Sequence, residues 1–343
     1  MLTLAGELAD MGLALDLVVG RAEGPLAREV PAGVRLVDLK MNRMLRCIVP
    51  LARHLRRERP GAFLSALDYA NVAAIMACRI AVPGIRVYVG NHIHLSSALF
   101  HSCLRERVLL SLAIRLTYKY ADGVVSVSEG AADDLANIAR IPRDSIRVIY
   151  NPIVNQRLLS RLSGQMPERS ANAETLTILS IGRLTRQKDY GTLIRAFSRV
   201  RSQMACKLRI LGEGEERASL SALIDDLGLR KDVDLPGFVA DPFPAMRAAK
   251  VFALSSMWEA LPTVLVEALV CQIPIVATDC PSGPREILQD GKHGRLVPVG
   301  DVEALAQGLL LALEGKIPRP GPDSWHRFDS RVSARKYLDL LNP

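Results

Sequence analysis

The chain has 343 residues, of which 49% are hydrophobic and 23% charged, as is usual for an α/β enzyme with two cores. No apolar run reaches the roughly 18 residues of a membrane span, and the acidic first 20 residues do not resemble a signal peptide. Aromatic residues, at 5%, do not interleave with the basic segments, which argues against a nucleic-acid partner despite the net charge of +8. The six cysteines lack metal or redox spacing, so we expect reduced thiols in a cytoplasmic protein.

In the first half of the chain, predicted strands alternate with predicted helices, which indicates a parallel sheet covered on both faces. The strands are Ala14–Val19, Ala62–Leu64, Ile85–Val89, Gly123–Ser126 and Arg147–Ile149. The helices are Leu2–Met11, Met44–Arg59, Ala70–Ile80, Leu104–Tyr120 and Glu129–Ala139.

One of these helices, Met44–Arg59, is strongly basic. Residues 35–59 contain eight Lys or Arg and two acids, a net of +6. An apolar stripe is predicted on this helix, with most arginines elsewhere: Leu45, Ile48, Val49, Ala52 and Leu55. Such a helix can lie on an anionic bilayer, although a solvated surface helix has the same pattern.

The alternation resumes after the polar segment 154–174, which we interpret as a linker. Predicted strands follow at Leu176–Ile181, Lys207–Leu211, Val233–Leu235, Val251–Leu254, Ile275–Ala277 and Gly294–Val297. The predicted helices are Tyr190–Val200, Glu215–Gly228, Phe243–Ala249, Thr263–Val270 and Val302–Leu313, with a final helix at Ser330–Leu341. The predicted domains are therefore residues 1–153 and 175–318, with a tail at 319–343.

Two glutamates, Glu259 and Glu267, flank a predicted helix start at Pro262. The backbone N–H groups of Thr263 and Val264 then have no intrahelical partner, which favours a phosphate there. A carboxylate on each side can accept hydrogen bonds from sugar hydroxyls. This arrangement predicts a site for a nucleoside diphosphate sugar.

A second loop adds two cations, Arg183 and Lys188, just before a helix that Asp189 can cap. Both cations can reach one diphosphate and neutralise the charge that develops on the leaving group. Gly212 and Gly214 follow the next strand; the pair permits close approach to a nucleotide, but it is equally typical of a tight strand–helix turn. Asp232 and Asp234 form a D-x-D pair at the start of a short predicted strand, and we expect no metal or other cofactor there.

These motifs resemble, in order, those of retaining glycosyltransferases of family 4, which have the GT-B fold. The stretch from Glu259 to Glu267 resembles the E-x7-E motif, and residues 181–190 resemble the G-R-L-x-x-x-K-[DG] loop. Further segments that fit are 211–214, 237–239, 280–287 and 294–298. The resemblance over 1–150 is looser and depends on strand–helix alternation and the Asn91-His92 loop.

The resemblance implies an α/β protein with two Rossmann-like, doubly wound domains facing a cleft, with the tail returning to the first domain. It also implies that Glu267 binds the ribose, that Glu259 contacts the donor hexose, and that a histidine, His92 or else His94, touches the donor sugar. Ala260 and Gln272 stand where the family usually has glycine. The chain also begins inside the family's first helix, so we expect the first central strand to be missing.

The function expected from these features is retaining transfer of a hexosyl or N-acetylhexosaminyl unit from a nucleotide sugar, most simply UDP-linked. The acceptor would be a lipid-linked or envelope glycan, and the enzyme would lie in the cytoplasm or on the inner face of the membrane. No pair of carboxylates is positioned as in glycosidases, which favours a front-face mechanism. The alternatives are a catalytically impaired nucleotide-sugar binder or fragment and a nucleotide-sugar epimerase.

Overall fold

The computed structural model describes residues 1–81, 84–101, 103–163 and 176–341. The chain forms two compact units. Unit 1 comprises residues 1–155 and 327–343, and unit 2 comprises residues 156–326. Residues 154 and 155 of the predicted linker belong to unit 1, residues 156–163 form a helix of unit 2, and residues 164–174 lie outside the described residues.

The described residues of unit 1 contain six strands, which are β1 (Leu15–Val19), β2 (Val34–Asp38), β3 (Ala62–Ala66), β4 (Arg86–Asn91), β5 (Gly123–Ser126) and β6 (Ile146–Val148). Its helices are α1 (Leu2–Asp10), α2 (Ile48–Glu58), α3 (Asp68–Ala81), α4 (Leu95–Phe100), α5 (Leu104–Thr117), α6 (Glu129–Ala139) and the C-terminal α14 (Ser330–Leu341). The sequence predicted neither β2 nor the separate helix α4.

The strands of unit 1 form two parallel sheets. One pairs β1 with β2, and the other has the order β3-β4-β5-β6. Both sheets contribute to the same apolar layers: Val18 and Phe63 pack against one core, and Leu15 and Leu64 pack against another. The second core also contains side chains of α1 and α14, so the C-terminal helix is part of unit 1.

Unit 2 contains strands β7 (Leu176–Ile181), β8 (Cys206–Leu211), β9 (Val233–Gly237), β10 (Val251–Leu254), β11 (Ile275–Thr278) and β12 (Arg295–Val297). Its helices are α7 (Gln156–Ser163), α8 (Tyr190–Gln203), α9 (Arg217–Asp226), α10 (Phe243–Ala248), α11 (Thr263–Val270), α12 (Pro284–Ile287) and α13 (Val302–Leu313). The predicted strands of this half are all present: β7 and β10 have the predicted bounds, and the others differ by one or two residues at one end.

The six strands of unit 2 form one parallel sheet in the order β9-β8-β7-β10-β11-β12. This is the doubly wound order in which the chain starts in the middle of the sheet and then reverses direction. Helices α8 and α13 cover one face, and their apolar residues form a single core with β7, β8 and β10. The strand order reverses between β7 and β10, which sets the position of the candidate site.

No helix among the described residues is both long and apolar enough to cross a membrane.

Candidate nucleotide-sugar site

The predicted donor residues of unit 2 follow β7 and β10, the two strands between which the sheet order reverses. Lys188 lies in the loop after β7, and Glu259 lies in the loop after β10. Open α/β sheets bind ligands at the carboxyl ends of their strands at such a reversal. The topology therefore brings together residues that are 71 positions apart in the chain.

The centre of the site is an ion pair between Lys188 and Glu259. The Lys188 Nζ atom lies 2.5 Å from Glu259 Oε1, and the Glu259 residue is only 7% exposed. The same Oε1 atom accepts a hydrogen bond from Ser256 Oγ at 2.7 Å, while Gln187 Nε2 lies 3.4 Å from Oε2. The carboxylate is thus held by three neighbours in a largely dehydrated position, where charge-assisted bonds are strong.

Backbone and side-chain hydrogen bonds fix the two loops that carry this pair. Met257 N donates to Gln187 O at 2.8 Å, and Ser255 Oγ donates to Lys188 O at 2.7 Å. On the other side, Glu259 N donates to Pro281 O at 2.7 Å and Ser282 N donates to Glu259 O at 2.9 Å. The loops after β7, β10 and β11 therefore form one connected structure, which orients a functional group as pre-organised sites require.

The glycine pair Gly212 and Gly214 packs against backbone. A Cβ on Gly212 would lie 2.0 Å from Gly182 O, and one on Gly214 would lie 2.3 Å from Leu184 O. Gly212 also has φ of +147°, a conformation that L side chains rarely adopt. Close contact with the loop after β7 therefore suffices to explain both glycines, and nucleotide contact by them stays a prediction.

Helix α11 begins at Thr263, with Pro262 as the residue before its first turn. The helix bounds are those predicted, but Pro262 occupies the N-cap and not the first helical position that the sequence suggested for it. Thr263 is exposed and Val264 is buried, and their N–H groups precede the first intrahelical bonds. Glu267 is half-buried one turn into the helix, and burial raises the pKa of its carboxyl above the usual range.

The structure does not join every predicted residue to the ion pair. The Arg183 side chain is exposed, and it makes no ion pair within the described part of the chain. Arg285 is engaged with Asp279 and Asp290. Gln272, which stands where the family usually has glycine, has φ of +52°, the left-handed region that favours glycine.

In unit 1, the predicted histidines have different surroundings. His92 is half-buried, and burial lowers its pKa to about 4, so the imidazole is neutral near pH 7. His94 lies at the start of α4, with its Nδ1 atom 2.8 Å from Ser97 Oγ. Asn91 is fully buried and its amide points to Asp68 Oδ1 at 3.4 Å.

The D-x-D pair is engaged by arginines: Asp232 pairs with Arg201 at 3.1 Å, and Asp234 pairs with Arg209 at 2.9 Å. Both acids also line a cavity of about 340 Å³ near the start of β7 and β8. That is the amino-terminal edge of the sheet, opposite to the edge where such sheets bind ligands. Groups of three or more side chains suited to a metal ion do not occur among the described residues.

Two contributors to the site, Gln187 and Ser256, were not predicted. Gln187 lies next to Lys188 and Ser256 lies three positions before Glu259, but only the fold shows that both side chains reach the Glu259 carboxylate. The signal available in the sequence was their place inside the two motifs, which does not tell which way a side chain points.

Two family models match the chain. Residues 1–157 match the model described as Glycosyltransferase Family 4, and residues 165–328 match that of Glycosyl transferases group 1. Both halves of the chain are therefore similar to glycosyltransferases.

Known proteins give the same result. The chain is 36% identical over 201 residues to N-acetylgalactosamine-N,N'-diacetylbacillosaminyl-diphospho-undecaprenol 4-alpha-N-acetylgalactosaminyltransferase of Campylobacter jejuni, covering 59% of this chain and 53% of that protein. The chain thus spans about half the length of that relative. It is 25% identical to the amylovoran biosynthesis glycosyltransferase AmsD of Erwinia amylovora over 84% of this chain and 80% of that protein.

Among solved structures, Anabaena HepE in complex with UDP and glucose has a TM-score of 0.76 at 21% identity. The match covers 99% of this chain and 94% of that one, and it establishes the fold. With both family models matched and the GT-B fold of these neighbours, the chain belongs to the GT4-type glycosyltransferases.

Proposed function

We propose that this protein transfers a hexosyl or N-acetylhexosaminyl unit from a UDP-sugar to a lipid-linked or envelope glycan acceptor, with retention of the anomeric configuration. The observation that carries the proposal is the Lys188–Glu259 pair at the reversal of the unit 2 sheet. The Campylobacter relative is named for a diphospho-undecaprenol-linked acceptor, which supports the acceptor class. The HepE complexes with UDP, with UDP and glucose, and with UDP-glucose support the donor.

In this proposal, Lys188 exchanges partners when the donor binds. Without ligand, the ammonium and the Glu259 carboxylate compensate each other in a site with little solvent. A diphosphate offers the ammonium a stronger anionic partner, and Arg183, which is exposed and unpaired within the described residues, adds a second cation. The N–H groups of Thr263 and Val264 add dipoles of the same sign. Together these groups stabilise charge on the departing nucleotide.

The arrangement of Glu259 favours a front-face reaction over a double displacement. A nucleophilic carboxylate needs a free oxygen facing the anomeric carbon. The Oε1 atom of Glu259 instead accepts from Ser256, and Gln187 Nε2 lies 3.4 Å from Oε2, so both oxygens keep a polar neighbour after Lys188 turns to the donor, which reduces their nucleophilicity. We therefore assign Glu259 to binding of the donor sugar, and the departing phosphate to removal of the acceptor proton.

The other residues have supporting roles in the proposal. Glu267 binds the ribose hydroxyls, and its half-buried position limits competition from water. His92, which is neutral near pH 7, can donate or accept a hydrogen bond to sugar without adding charge. Gly212 and Gly214 keep the loop after β8 close to the loop after β7. No metal is required, because the cations and the helix terminus neutralise the diphosphate.

The test begins with calorimetric titration of the full chain with UDP, GDP and ADP, comparing the wild type with Lys188→Ala and Glu267→Ala. Lys292→Ala, which removes an exposed lysine of the same unit, is the matched control. We expect UDP to bind best, both site variants to bind at least tenfold more weakly, and the control to bind as the wild type does. If none of the three nucleotides binds, or if the control weakens as much as Lys188→Ala, the site assignment is wrong.

The second step tests the reaction itself. UDP-hexoses and UDP-N-acetylhexosamines are offered with a polyprenyl-diphosphate-linked acceptor, and the anomeric configuration of the product is determined by NMR. Retention is the expected result, and an inverted product refutes the mechanism. Tight UDP binding with no transfer to any acceptor supports the alternative of an impaired nucleotide-sugar binder.

A further inference from the structure

Helix α5 in unit 1 exposes a large apolar face. The residues on this face are between 49% and 74% exposed: Leu104, Val108, Leu109, Leu112 and Leu116. Leu110 and Ile114, on the opposite side of the helix, are buried in the core. Scattered exposed apolar residues are ordinary, but four leucines and a valine on one face of one helix form a continuous patch that proteins usually cover.

Further apolar side chains are exposed near the ends of α5 and on a neighbouring helix. Phe100, at the end of α4, is 68% exposed, and Tyr120, just after α5, is 52% exposed. On α3, which packs beside α5, Met76 and Ile80 are exposed as well. We call this surface, formed by α5 with Phe100 and Tyr120, the α5 face.

Positive charge surrounds the apolar residues of the α5 face. Arg105, Arg107, Arg115 and Lys119 are all exposed, and Glu106 is the one acid in residues 100–120, a net of +3 (four basic minus one acidic). The Glu106 carboxylate accepts a hydrogen bond from Tyr69 at 2.7 Å. At 100° per residue, Arg105 and Arg115 project on the same side as the exposed leucines, and Arg115 remains exposed while its Nε donates to Ile138 O at 2.8 Å.

This combination identifies the partner chemically. Leucines flanked by arginines suit the boundary between the headgroups and acyl chains of a bilayer, where the arginines meet anionic phosphates. A symmetric contact with a second copy would instead bring the arginines of both copies together, which is unfavourable. We infer that the α5 face is a docking surface for an anionic lipid bilayer.

The inference deepens the proposed function, because a surface-bound enzyme meets a lipid-linked acceptor in two dimensions. It also places the membrane-binding surface on helix α5, whereas the sequence suggested the basic helix Met44–Arg59. In the predicted stripe of the basic helix, Ala52 is 3% and Leu55 is 1% exposed, so these residues belong to the core. Val49 remains exposed, and Arg56 donates to the carbonyl oxygens of Ile80 and Ala81. Helix α2 thus offers a bilayer little apolar area.

The experiment compares matched variants of α5 and α2 in the full chain by co-sedimentation with vesicles. The vesicles contain phosphatidylcholine alone or mixed with phosphatidylglycerol. On α5 the variants are Leu109→Glu with Leu112→Glu, and Arg105→Gln with Arg115→Gln. On α2 the controls are Val49→Glu, and Arg53→Gln with Arg57→Gln. All seven positions are exposed, and circular dichroism checks that each variant folds.

We expect the wild type to bind the anionic vesicles and to bind phosphatidylcholine weakly. The leucine variant should lose at least about tenfold in partitioning, and the α5 arginine variant about thirtyfold, since each surface cation contributes about fivefold. The α2 variants should bind within about fivefold of the wild type. Failure of the wild type to bind anionic vesicles overturns the inference, as does a larger loss in the α2 variants than in the α5 variants.

A different result is expected if the α5 face binds a second copy of the chain. Analytical ultracentrifugation without lipid would then show self-association that the leucine variant abolishes, and this result would also overturn the inference. None of these measurements requires a sugar nucleotide, and UDP titration requires no membrane. Failure of the docking surface is therefore distinguishable from failure of the proposed function.

Discussion

The two units use the same kind of parallel sheet but bury it differently. In unit 2, every residue of β10 and β11 is buried, and the six strands described there form one uninterrupted sheet. In unit 1, the strands are divided between two sheets, and most residues of β1 and β3 are only half-buried. By contrast, β4, which has a neighbour on both edges, is buried at five of its six residues.

The difference shows what a neighbour on each edge contributes to a parallel sheet. Such a sheet is stable when helices cover both faces and strands cover both edges. The central strands of unit 2 meet both conditions, and the donor site lies on their rigid carboxyl ends. In unit 1, β1 and β3 each pair on one edge only within the described residues, so we expect lower local stability there. Both tryptophans, Trp258 and Trp325, lie in unit 2, so tryptophan fluorescence reports that unit alone.

The largest expected effect is from core substitutions matched between the units. Phe252→Ala removes a fully buried ring from β10 and should lower the free energy of unfolding of unit 2 by about 3–5 kcal/mol. Phe63→Ala removes a half-buried ring from β3 and should cost only about 1–2 kcal/mol in unit 1. Urea unfolding by tryptophan fluorescence measures the first, and hydrogen exchange of residues 62–66 measures the second. Equal costs would show that β3 is as well buried as β10.

Two alanine substitutions, Gly214→Ala and Gly61→Ala, test how tightly the donor loops are packed. Gly214→Ala would place a methyl group 2.3 Å from Leu184 O, and we expect a loss of about 3 kcal/mol in unit 2 together with weaker UDP binding. Gly61→Ala, just before β3, meets no atom within 4 Å and should change stability by less than about 1 kcal/mol. Thermal unfolding of both variants measures the difference. A neutral Gly214→Ala would mean that the loop after β8 can move away at little cost.

The pH dependence should differ between the units because of His92. Its folded pKa of about 4 is below the unfolded value of about 6.5, so the unfolded state binds more protons between these values. The stability contribution is therefore complete above about pH 6.5 and is lost as the pH falls to 4, an effect on the order of 2–3 kcal/mol. His92→Gln should flatten this acid limb when unit 1 unfolding is followed by hydrogen exchange, whereas His101→Gln, at an exposed histidine, should not. An unchanged acid limb in His92→Gln would contradict this origin.

The smallest expected effect is from Glu267, whose contribution to stability depends on pH in the direction opposite to that of His92. Burial raises the pKa of its carboxyl, so the folded state binds more protons, and stability falls as the pH rises through that value. At pH 7, Glu267→Gln should stabilise unit 2 by about 0.5–1 kcal/mol while weakening UDP binding. Fluorescence-monitored unfolding and calorimetry on the same preparation provide both values. Loss of stability in this variant would show that the carboxylate has a structural partner.

The residues of the candidate site were largely identifiable from the sequence because motif residues lie at fixed positions relative to strands and helices. Strand and helix positions in the second half follow from local periodicity, and Asp189 caps α8 as predicted, with its side chain accepting from Thr192 N at 3.2 Å. The roles of Arg183, Glu267 and His92 stay predictions.

What the sequence could not specify depends on contacts between distant segments. Periodicity on α5 shows apolar residues on both faces, and only packing against α3 and α6 decides which face remains exposed. In the same way, the apolar stripe of α2 is compatible with a bilayer on the basis of the sequence, but in the fold its residues Ala52 and Leu55 are buried in the core.

The sequence by itself determined the alternation of strands and helices and the order of the motifs, since both depend on neighbouring residues. The tertiary structure alone decided that Lys188 meets Glu259, that Ser256 and Gln187 join them, and that β1 and β3 do not pair among the described residues. Strand pairing and side-chain direction are set by burial over the whole unit, and a local pattern contains no information about them.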